Sequence, residues 1–149
     1  MKVNVSWREG ERFCQRFVVR LSAEAGETIL YGDREMEFTL QSADKAIVQV
    51  RLLQKTWFGR NFCCLPLQCI MEDREIGIIE GPDEYQIRGK LCKFSAAGHD
   101  YESKGKQLTS EFADYVWKLS SLVITPRFSE DAYFFAAFGA YLLIRESNR

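Results

Sequence analysis

Apolar residues along most of this chain recur at every second position, the spacing of β-strands with one buried face. Val3, Val5 and Trp7 alternate with polar residues, and Phe13, Phe17, Val19 and Leu21 carry the same period into a second strand. Ile29 and Tyr31 begin a third. Gly32-Asp33-Arg34 reads as the bend of a hairpin whose other arm holds Met36, Phe38 and Leu40, alternating with Glu35, Glu37 and Thr39. Val48, Val50 and Leu52 share one face of the next strand. Pro66 interrupts the stretch Phe62 to Met71, which implies a bulge or an edge position. Ile76, Ile78 and Ile79 form a short strand ended by Gly81-Pro82-Asp83. Tyr85, Ile87, Gly89 and Leu91 alternate with Gln86, Arg88, Lys90 and Cys92, the clearest two-residue period in the chain. His99 to Leu108 reads as a weak strand with a turn at Gly105. Residues 110–119 fit a helix capped by Ser110 and a strand carrying Tyr115, Trp117 and Leu119 equally well, and Leu122-Val123-Ile124 is a strand closed by Pro126.

The rhythm then changes. Ala132 to Ile144, AYFFAAFGAYLLI, has no charged side chain, and two Tyr hydroxyls are its only side-chain polar groups. Ser129 is placed to cap a helix, with Glu130 and Asp131 in its first turn, where carboxylates suit the helix dipole. A helix apolar on every face needs surroundings on every face. Its thirteen residues span about 20 Å at 1.5 Å each, short of a bilayer core of about 30 Å. The expected fold is mainly β: a closed antiparallel β-barrel around one buried C-terminal helix at about 130–146, in a single domain over residues 1–149.

Charge narrows the function classes. Twenty basic and twenty-one acidic residues give a net charge of −1, which removes the simplest argument for nucleic-acid binding. Five Cys lack the framework of a secreted scaffold, and the first residues lack the apolar run of a signal peptide, so reduced thiols in a cytoplasmic protein are expected. Along the chain the charge is uneven. Gln86 to Lys106 holds Arg88, Lys90, Lys93, Lys104 and Lys106 against Asp100 and Glu102, a local +3. Arg51 to Phe62 is also +3, with Lys55 and Arg60 flanking the aromatic pair Trp57 and Phe58, while Glu72 to Glu84 is −5. If the basic stretches adjoin, Arg88, Lys90, Lys93, Lys104, Lys106, Lys55 and Arg60 would form a patch for an anionic headgroup or another polyanion.

Other motifs are weaker. Gly98 to Lys106 (GHDYESKGK) misses the phosphate-loop spacing, and Gln107 stands where Ser or Thr is needed. Cys63, Cys64, Cys69 and Cys92 contain no CxxC pair, and His99 is the only histidine, so no metal or cofactor is expected.

Ser120 to Ile144, SSLVITPRFSEDAYFFAAFGAYLLI, joins a strand, Pro126, Asp131 and an apolar helix, and short strands around YQIRGKLCKFSAAG (Tyr85 to Gly98) precede it. This pattern resembles the tubby C-terminal-like superfamily, in particular its small LURP-one-related and phospholipid-scramblase-like members. The resemblance implies a barrel of about a dozen strands with the helix threaded through it. It also implies a non-enzymatic binding role, with phosphoinositide-like lipids at a membrane surface as the partner. No headgroup residue transfers by position. The alternatives are a protein–protein interaction domain using Trp57 and Phe58, and an enzyme built around His99 or a Cys.

Overall fold

A computed structural model describes residues 1–8, 16–53, 65–96 and 107–147. The strands are β1 (Lys2–Trp7), β2 (Arg16–Ala23), β3 (Gly26–Asp33), β4 (Phe38–Ser42), β5 (Lys45–Leu52), β6 (Leu67–Met71), β7 (Arg74–Ile79), β8 (Glu84–Ile87), β9 (Lys90–Lys93), β10 (Ser95–Ala96), β11 (Gln107–Thr109), β12 (Ala113–Trp117) and β13 (Ser121–Pro126). They form one antiparallel sheet in the order β10-β11-β12-β13-β1-β2-β3-β4-β5-β6-β7-β8-β9. The two ends of that order are one piece of chain. Lys90–Lys93 pairs with β8 and Ser95–Ala96 with β11, so a single stretch bridges the seam and the sheet becomes a nearly closed barrel. Closure of this kind leaves little strand edge unpaired.

Helix α1 (Ala132–Ser147) runs through the barrel, about 24 Å at 1.5 Å per residue. From Ala132 to Ile144 every residue is buried except Tyr133 and Tyr141, which are half-buried. The inward faces of the strands supply Val3, Val5, Val19, Leu30, Leu40, Val48, Val50, Leu122 and Ile124. Two glycines bring the layers together. A Cβ on Gly139 of the helix would lie 2.7 Å from Val5 Cγ2, and one on Gly77 of β7 would lie 2.4 Å from the Phe134 ring. The expected barrel around a C-terminal helix is therefore what the chain forms.

Local details differ from the sequence pattern. The run from Tyr85 to Cys92 is a hairpin, turned by Arg88-Gly89 with φ of 53° and 76°, the positive pair that suits the twist of adjoining strands. A two-residue turn shifts the parity of the inward set: Tyr85 and Ile87 face in on β8, whereas Cys92 faces in on β9 and Leu91 is 59% exposed. Residues 113–117 are strand. Ser110 caps no helix; its hydroxyl donates to the Ala113 carbonyl at 2.8 Å. Ser129 makes no side-chain cap either. Ser129–Asp131 is a separate 3-10 turn, and the buried Asp131 carboxylate faces Arg88. Gln107–Thr109 is strand, whereas the rest of the weak strand-and-turn expected from His99 lies outside the described residues.

Candidate functional site

Antiparallel connectivity sorts the connections between two ends of the barrel. The helix enters beside the turns Ala43-Asp44, Glu72-Asp73 and Arg88-Gly89, here the entry end. It emerges beside Arg8, residues 34–37, Leu53, residues 80–83 and residues 118–120, here the exit end. The residues on either side of residues 54–64 and 97–106, namely Leu53 and Leu65, and Ala96 and Gln107, also stand at the exit end.

At the exit end, β12 and β13 are joined by a tight turn closed by the Lys118 N–H donating to the Ser121 carbonyl at 2.7 Å. Leu119 at its apex is fully exposed, at 102% of its reference area. Trp117 and Trp7, half-buried beneath it, line a groove of about 750 Å³ with Leu108, Leu142 and Leu143. Arg145, in the last turn of α1, borders this groove and a second cleft of about 360 Å³ lined by Met36, Phe38, Leu67, Tyr141 and Ile144. Among the described residues neither Lys118 nor Arg145 has a carboxylate within ion-pair distance. Arg145 also acts on the buried Tyr115 phenol. Burial first, and Asp83 second, push that group up to about 12, and Arg145 opposes them.

A third, polar cleft of about 390 Å³ lies between β3 and β4, lined by Arg16, Asp33, Glu37 and Arg51 among others. Its cations are engaged within the fold. Arg16 Nε meets Asp33 at 3.1 Å, and Arg51 donates to the carbonyls of Phe38 and Val50.

The sequence-expected patch is divided. Arg88 and Lys90 stand at the entry end, and each is paired. Arg88 donates to both oxygens of Asp131 at 2.8 and 3.3 Å, lies 3.7 Å from Glu130 and stacks its guanidinium 4.8 Å from the Phe112 ring centroid. The Asp131 hydrogen bond above all, against some desolvation, holds the Arg88 pKa above its ordinary value. Lys90 meets Glu111 at 2.7 Å, which likewise raises its pKa, and Lys93 on the outer face reaches Glu84 at 4.0 Å. Phe112 and Glu111 tie the β8–β9 hairpin to the segment before β12, Asp131 and Glu130 tie it to the turn before α1, and Lys93–Glu84 lies within the hairpin itself. Lys55, Arg60, Lys104 and Lys106 lie outside the described residues, as do Trp57, Phe58, Cys63, Cys64 and His99.

Cys69 and Cys92 are buried free thiols, and burial is the leading cause that raises the pKa of each. Among the described residues no group of three His, Cys, Asp or Glu is placed to hold a metal ion, and no helix is long and apolar enough to cross a membrane. The residues that sequence reasoning passed over are Trp7, Trp117, Lys118, Leu119 and Arg145. The available signal was a leucine at 119 between Lys118 and two serines, which the strand period of Tyr115 and Trp117 absorbs.

No family model, curated protein or solved structure matches this chain.

Proposed function

We propose that this chain is a non-enzymatic binding domain of the tubby-like kind that recognises anionic lipid headgroups at a membrane surface. One observation carries the reading. At the exit end, two cations without a carboxylate partner among the described residues, Lys118 and Arg145, border a groove walled by Trp7 and Trp117. Tryptophan beside lysine or arginine is the pairing favoured where headgroups meet acyl chains. The strand ends on either side of residues 54–64 and 97–106, which carry Lys55, Arg60, Lys104 and Lys106, stand at the same end. Arg88, Lys90 and Lys93, being paired, contribute less in this scheme than they do in the linear sequence. The kinship is supported by the nearly closed barrel with its helix inside.

The test is flotation of the purified chain with vesicles of phosphatidylcholine alone and with added phosphatidylserine or a phosphoinositide, at low and at physiological salt. Binding is expected only with anionic lipid and is expected to weaken with salt. Each cation near such a surface is worth about 1 kcal/mol, so reversing Lys118 and Arg145 together lowers binding about tenfold or more. Reversing Lys104 and Lys106 tests the basic stretch in the same way. Absence of binding to every anionic vesicle at low salt rejects the reading. A mass that rises with concentration in light scattering would then favour the protein-interaction alternative.

A further inference from the structure

Resting on the lipid reading above, we infer that the exit rim enters the bilayer through apolar anchors, with Leu119 as the leading one. Six large apolar side chains are exposed among the described residues: Met1, Met36, Leu53, Leu91, Leu119 and Phe128. Three of them, Met36, Leu53 and Leu119, stand at the exit end, around the emerging helix. Leu119 is the most exposed of the six. No neighbour covers it, and it sits at the apex of a turn fixed by the Lys118–Ser121 backbone bond. Lys118 precedes it, small serines follow it, and Trp7 and Trp117 lie one step lower. From the tip inward the order is therefore aliphatic, then cationic with amphipathic rings, then the buried barrel. Acyl chains, headgroups and water present the same sequence of environments.

Charge alone does not bring this end to an anionic surface. Glu35, Glu37, Glu80, Asp83 and Glu146 also stand here, so in this scheme an apolar contact supplies attraction that the cations do not. A protein partner is the poorer fit. The anchors lie on three separate connections, the β3–β4 segment, the end of β5 and the β12–β13 turn, with charged residues between them. A stable protein interface needs a continuous face of about 800 Å² on each partner. A fluid lipid interface closes around each projection separately.

The test uses the full chain, Leu119→Asp and Leu119→Trp, with phosphatidylcholine/phosphatidylserine vesicles with and without bromine on the acyl chains. Because Leu119 is fully exposed, both variants are expected to melt at the wild-type temperature, which separates binding from folding. Leu119→Asp is expected to bind about ten- to a hundredfold more weakly, the equilibrium equivalent of burying one leucine side chain. Leu119→Trp is expected to bind as the wild type does and to gain tryptophan emission quenched by the brominated chains. If the wild type binds and Leu119→Asp binds equally well, the insertion is overturned and headgroup binding stands. If the wild type binds no anionic vesicle, both fall together.

Discussion

Tyr85 lies at the centre of the aromatic cluster that fills the barrel beside the helix. Its ring lies within 5.2–5.9 Å, centroid to centroid, of Phe94, Phe134, Phe135 and Phe138, so one phenol ties β8 to the helix and to the seam. Its hydroxyl is fully engaged. Ser110 spends its own proton on the Ala113 carbonyl, so Tyr85 donates to Ser110 Oγ at 2.7 Å while accepting from the Phe112 N–H at 3.2 Å. Burial pushes the Tyr85 phenol up to about 12, as it does for Tyr115. Both folded values exceed the ordinary phenol value of about 10. The unfolded chain therefore loses these protons first as pH rises. The stabilisation is whole below pH of about 10 and is lost between there and about 12. Alkaline titration followed at 295 nm should show these two tyrosines ionising only together with loss of near-ultraviolet circular dichroism. Early ionisation of all the tyrosines with the fold intact would reject the burial account. Arg88 is the residue that linear reading misplaced: counted as part of a free basic run, it serves instead as the partner of the buried Asp131 carboxylate. Sequence separation hid this, because the two lie 43 positions apart and meet only once the barrel closes.

The elements divide by how much of their identity is local. The helix was legible because an apolar stretch of that length without a charge has few other uses. So were Val3/Val5, Val48/Val50 and Leu122/Ile124, inward pairs that keep the two-residue period. The β8–β9 hairpin was not, since a two-residue turn leaves the alternation unbroken in sequence while reversing which set faces inward. β12 was ambiguous for a physical reason: five residues satisfy a helical and a strand period at once, and only its ladder with β13 decides. Contact between helix and sheet gives an element-scale prediction. An added Cβ at Gly77 would crowd the Phe134 ring at 2.4 Å and the Gln86 carbonyl at 2.9 Å, neither free to retreat. Gly77→Ala is expected to cost about 1–3 kcal/mol in chemical denaturation. Gly81→Ala, whose nearest neighbour would be Asp83 Oδ1 at 4.0 Å, should stay within about 0.5 kcal/mol. Equal effects at the two positions would mean that the helix packs less closely on β7 than these distances say.

At the scale of the whole molecule, barrel and helix depend on each other. The strands turn Val, Leu, Ile and Phe side chains toward an interior that they are too many to fill by themselves, and the largest fully buried side chains include Phe134, Phe135 and Phe138 of α1. The helix in turn has nearly no polar face to give to water. Its entry is held by the Arg88–Asp131 pair, so the 3-10 turn that leads into the helix is tied to the β8–β9 turn. A chain ending at Phe128 keeps every strand and loses the filling. It is expected not to leave a stable empty barrel, because a void of helix size forfeits contacts far beyond the roughly 3–5 kcal/mol that a single Phe→Ala change costs. The truncated chain should retain β-type far-ultraviolet dichroism at most, lose its near-ultraviolet signal, bind 8-anilinonaphthalene-1-sulfonate and lack a cooperative thermal transition. A sharp melt in the truncated chain would show that the strands close without their helix, and the mutual dependence would be wrong.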